Sequence, residues 1–76
     1  MDLTPDEIIA AYLAELERVH GKKFARAAVV EYHGSWFYVS HPTLKGNRYV
    51  VNPLTRPLRR RQLLEMIDQL RGESSG

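Results

Sequence analysis

The residues able to do chemistry are few, and their spacing argues against catalysis. The chain has three histidines, His20, His33 and His41, and no cysteine. His33 and His41 are separated by a predicted hairpin turn, and His20 falls at a predicted helix end, so no pair has metal-ligand spacing. The serines are Ser35, Ser40, Ser74 and Ser75, none in a Gly-x-Ser-x-Gly elbow. Gly21, Gly34 and Gly46 are isolated, so no glycine-rich loop can cradle a phosphate. No two carboxylates are spaced for paired acid–base work. The expectation is a non-enzymatic chain with no cofactor, no metal and no catalytic residue.

Two groups of side chains suit recognition instead. Trp36 and Tyr38 are two residues apart in a predicted strand, with His33 and Glu31 across the ladder. Aromatics grouped on one sheet face mark contact sites. Arg56, Arg59, Arg60 and Arg61 crowd the predicted start of the last helix. The helix dipole favours acids there, and each cation costs about 0.3–1 kcal/mol. An arginine fan beside free helix N–H groups suits a phosphate or carboxylate; the plainer reading pairs Arg61 with Glu65 at i,i+4 and leaves the rest solvated. The predicted partner-binding residues are therefore Trp36, Tyr38, His33, Arg59, Arg60 and Arg61. The alternative, a nucleic-acid surface, would use Arg56, Arg59, Arg60 and Arg61 with Lys45 and Arg48.

Length and charge bound these readings. Seventy-six residues, 43% of them apolar and 26% charged, make one small globular domain. Residues 1–34 carry 4 basic and 6 acidic side chains, and residues 35–76 carry 7 basic and 3 acidic, so the second half leans toward an acidic partner. No apolar run approaches the roughly 20 residues that cross a bilayer, and the acidic opening Met1-Asp2-Leu3-Thr4-Pro5-Asp6-Glu7 is unlike a signal peptide. A cytoplasmic protein without a membrane partner is expected.

These side chains need elements to hold them. Thr4-Pro5-Asp6-Glu7 predicts a capping box opening a helix, which Ile8, Ile9, Tyr12, Leu13, Leu16 and Val19 stripe and Gly21 closes. Ala11, Ala14 and Arg18 lie off that stripe, small enough at the alanines to admit a neighbour. Phe24–His33 and Trp36–His41 predict a hairpin around Gly34-Ser35, of type II′ because glycine comes first. The turn sets His33 opposite Trp36 and Tyr32 opposite Phe37, and so places Phe24, Ala28, Val30, Tyr32, Phe37 and Val39 on the core face. Residues 41–47 read as a loop, Arg48–Asn52 as a third strand of open register, and a second helix is expected from Thr55-Arg56-Pro57 to Gly72. The predicted fold is α+β, a two-layer α-β-β-β-α domain over residues 1–72. Its three-stranded antiparallel sheet is packed on one face by two helices, and residues 73–76 form a disordered tail.

That order, with Pro57-Leu58-Arg59-Arg60-Arg61 opening the last helix, is similar to double-stranded-RNA-binding domains. The resemblance implies phosphate contacts by these cations, but the family's glycine-rich approach and Lys-Lys pair are absent. Lys45-Gly46-Asn47-Arg48-Tyr49-Val50 is similar to the aromatic strand of RNA-recognition motifs, a fold that starts with a strand and needs four. Small cysteine-free chains are common among phage and mobile-element accessory proteins, including anti-CRISPR inhibitors. The leading expectation is accordingly a protein-binding module of that kind acting on a host protein or nucleoprotein complex. The alternatives are a nucleic-acid-binding domain and a self-associating structural piece of the phage head–tail type.

Overall fold

The computed structural model describes residues 3–53 and 57–73, the last of these by its backbone. The order is α1 (Pro5–His20), α2 (Lys22–Ala27), β1 (Val29–His33), β2 (Trp36–Ser40), β3 (Pro42–Lys45), β4 (Arg48–Val51) and α3 (Arg60–Glu73). The class is α+β, as expected, but the sheet is not three-stranded. β1 pairs with β2 and β3 with β4, giving two antiparallel hairpins.

α1 follows its sequence closely. The Glu7 amide donates to Thr4 Oγ1 at 3.2 Å, and the Thr4 amide donates to Glu7 Oε1 at 3.0 Å. These bonds hold the Glu7 carboxyl below the usual carboxylate range. At the other end the Gly21 N–H donates to the Glu17 carbonyl, closing the helix. Ile8, Tyr12 and Leu16 are buried on one stripe.

Residues 22–27 form a helix rather than the expected start of the first strand. Lys22, Lys23, Ala25 and Ala27 are good helix formers, and a short apolar run does not by itself distinguish strand from helix. The first hairpin keeps the expected register, from His33 opposite Trp36 to Val29 opposite Ser40. Its turn departs from type II′. Gly34 and Ser35 have φ of 55° and 72°, the two positive values of type I′. Pro42 to Lys45 is a strand, not a loop; as its first residue on an edge, Pro42 forfeits no required ladder bond.

The core joins Ile8, Tyr12 and Leu16 of α1, Ala25 of α2, Phe37 and Val39 of β2, and Leu63 and Ile67 of α3. Arg60 at the start of α3 donates to the Leu3 carbonyl at 2.5 Å, and Arg71 near its end lies 3.7 Å from Glu15. The two long helices therefore run parallel. Glu15 also takes Arg18 at 2.6 Å, and chiefly through that bond its carboxyl is held below the ordinary range.

The last helix starts later than expected. Leu58 instead forms an isolated antiparallel bridge with Phe37, N–H to carbonyl in both directions at 2.8 Å. Among the described residues, the strand-like neighbour of β2 is thus Leu58, not Arg48–Asn52. α3 begins where the Gln62 side chain accepts from the Arg59 N–H at 2.8 Å and the Leu63 N–H returns to the Arg59 carbonyl. Its backbone continues through Gly72 to Glu73. The expected disordered residues 74–76 lie outside the described residues, as do Thr55 and Arg56. Among the described residues, no helix is long and apolar enough to cross a membrane.

Candidate binding face

The Leu58–Phe37 bridge brings one residue of the arginine cluster, Arg59, onto the aromatic surface. It sets Arg59 beside β2, with the guanidinium carbon 4.8 Å from the centroid of the Trp36 ring. That distance is within the range of a cation–π contact, worth about 0.5–1 kcal/mol at an exposed site. Trp36 and Tyr38 point to the face of the hairpin opposite Phe37 and Val39, and both are half-buried. The His33 ring lies 6.1 Å from that of Tyr38, and its Nε2 is 3.0 Å from Glu31 Oε1. A continuous face of Arg59, Trp36, Tyr38, His33 and Glu31 results.

The rest of the arginine cluster disperses. Arg60 is directed to the Leu3 carbonyl. Arg61 lies 3.6 Å from Glu65, the i,i+4 pair legible in the sequence, with both side chains largely in solvent. Arg56 is outside the described residues. Lys45 and Arg48 face each other across the second hairpin, both exposed, a like-charge pair that opposes strand pairing.

At the Ser40 end the face is closed. Ser40 is buried and donates to the Asn52 carbonyl, while Asn52 Nδ2 donates to the His41 carbonyl at 2.7 Å and to Thr43 Oγ1 at 2.8 Å. This clamp fixes the base of the β3–β4 hairpin. Beside it the Tyr12 hydroxyl is hydrogen-bonded to His41 Nε2. Burial pushes the Tyr12 phenol up to about 12 and, with the charge of His20 second, pushes His41 below its ordinary 6.5. The Phe24 ring packs 4.5 Å from His20 and meets Tyr49 edge-on at 6.1 Å. These groups fasten the second hairpin to α1 and α2.

Sequence reasoning missed the pairing of Pro42–Lys45 in that hairpin and so its exposed apolar face. Leu44 and Val51 are 58% and 52% exposed on the face that also carries Tyr49. The signal was present: β-branched and aromatic residues flank Gly46-Asn47, a hairpin pattern. A shallow groove of about 460 Å³ also opens between α1 and α2, lined by Ala10, Leu13, Ala14, Ala25 and Ala28 with Glu17 and Arg26. Ala14 is thus on a free flank, whereas Ala11 packs against the core.

Among the described residues, no group of three His, Asp or Glu side chains is placed to hold a metal ion. Comparison with protein-family models, with curated proteins and with solved structures finds no match to this chain.

Proposed function

We propose that this chain is a small non-catalytic protein-binding module that docks its partner on the Arg59–Trp36–Tyr38–His33 face. The observation that carries the reading is the seating of Arg59 over Trp36, which adds one arginine of the cluster to the aromatic face. Tryptophan, tyrosine and arginine dominate the energetics of protein interfaces, because they bury large area with few rotors and still offer polar ends. Glu31 on the same face supports a protein partner over a phosphate backbone. So does the dispersal of Arg59, Arg60 and Arg61 to three different neighbours, since a phosphate row needs cations aligned along it. The accessory-factor setting, an anti-CRISPR-like inhibitor, rests on size and composition alone.

The test is affinity capture from cell extract with the wild-type chain and with a Trp36→Ala, Tyr38→Ala double variant. The partner's affinity should fall at least about a hundredfold, as for loss of a central aromatic anchor. Unchanged affinity would reject this face. A parallel anisotropy titration against duplex RNA, duplex DNA and single strands addresses the alternative. Sub-micromolar binding with a log–log salt slope of several units, abolished by Arg59→Glu with Arg60→Glu, would establish a nucleic-acid binder instead.

A further inference from the structure

We infer that the outer edge of β1 is a self-association site, where a second copy of this chain adds its own β1 antiparallel. Tyr32 stands opposite Tyr32 of the second copy, and Glu31 opposite its His33. Phe37 directs both its N–H and its C=O to Leu58, away from β1. Backbone groups alternate along an antiparallel ladder, so Tyr32, the partner of Phe37, and Val30 turn theirs away from β2. Among the described residues, no backbone group pairs with that edge. Exposed edges are normally guarded by proline, lysine or a bulge. The outer hairpin carries Pro42 and Lys45, and β2 is covered at Phe37, but Val29-Val30-Glu31-Tyr32-His33 has no proline, lysine or bulge, and its one acidic charge, Glu31, is the group that the pairing below uses.

Charge selects the register. Three symmetric pairings set the outward groups of two β1 strands against each other. Centring on Glu31 puts the two Glu31 carboxylates face to face, which is repulsive. Centring on Val30 puts Glu31 opposite Val29 and requires the Ala28 N–H, already donated to the Phe24 carbonyl. Centring on Tyr32 puts Glu31 opposite His33 twice, with both side chains open to solvent at 45% and 68% exposure. The four groups then alternate carboxylate and imidazole. On the opposite face the Tyr32 ring, 39% exposed and 4.7 Å from Phe37, meets its counterpart and extends the aromatic row.

Sedimentation velocity from micromolar to millimolar chain should show a monomer–dimer equilibrium. Glu31→Lys should weaken it at least about tenfold by setting cation against imidazole, and the exchanged variant Glu31→His, His33→Glu should restore it. Because the chain has no cysteine, the register can be trapped. A mixture of Glu31→Cys and His33→Cys chains, oxidised with glutathione disulfide, should cross-link mostly as mixed dimers. A monomer throughout, or cross-linking as efficient within either variant alone, would overturn the proposal. Circular dichroism of each variant separates loss of association from loss of fold, since both positions are exposed.

Discussion

The two hairpins begin with the same local instruction and end in different surroundings. Each has a two-residue turn with glycine first, Gly34-Ser35 and Gly46-Asn47. In the first, Ser35 is also at positive φ, whereas in the second only Gly46 is, the sign pattern of type II′. The first hairpin puts Val30, Phe37 and Val39 on one face, so a single layer of helices can cover them. The second distributes its aliphatics to both faces, Leu44 and Val51 on one and Val50 on the other. No single layer can cover both, and among the described residues the hairpin is fastened by Pro42 and the Asn52 clamp at its base and by Tyr49 against Phe24 further out. Alternation, more than turn chemistry, decides which hairpin becomes core.

The comparison is broken most directly by truncating one apolar side chain in each hairpin. Phe37→Ala, at 1% exposure, should cost about 3–5 kcal/mol of unfolding free energy, while Leu44→Ala should change it by less than about 0.5 kcal/mol. Urea titration of both variants measures the difference, and equal losses would mean that the second hairpin is as much core as the first.

The joint between the hairpins should be sensitive to acid. His41 is held below its ordinary 6.5 by burial, so the unfolded chain takes up a proton more readily than the folded one. Its contribution is full above 6.5 and is lost as pH falls through the folded-state value. Glu7 and Glu15 act only below their ordinary 4.5, so urea midpoints at neutral and mildly acidic pH isolate the histidine. The midpoint should fall on acidification, and His41→Gln should flatten the change. Tyr12→Phe, which removes the hydroxyl bonded to that imidazole, should cost on the order of 1 kcal/mol.

The smallest effect concerns the turns. Ser35 holds a left-handed backbone that only glycine adopts without penalty. Ser35→Gly should stabilise the chain by about 0.5–1 kcal/mol, read as a rise in Tm, whereas Asn47→Gly should give no gain.

Features set by neighbouring residues were legible in the sequence. Thr4 and Glu7 announce α1, and a two-residue turn fixes the β1–β2 register whichever primed form it takes. Features set by distant parts of the chain were not. Nothing local in Leu58 marks it as a partner of Phe37, and that bridge displaced Arg48–Asn52 from the first sheet and delayed α3 to Arg60. α3 also lacks a Ser, Thr, Asp or Asn cap, relying on Gln62 reaching back to Arg59. The candidate face was half legible: its aromatics and its arginines each stood out, and only the fold could bring Arg59 onto Trp36.

The parallel pairing of α1 and α3 carries a kinetic consequence. Ile8 and Leu63 share one core although more than half the chain separates them. Such high contact order slows folding, because the loop between the two helices must close before their contact returns any free energy. During synthesis α1 emerges first, yet its apolar stripe is only partly covered until α3 supplies Leu63 and Ile67. A chain cut before Leu63 therefore lacks the helix that completes this core and leaves part of the stripe exposed, a natural substrate for chaperones.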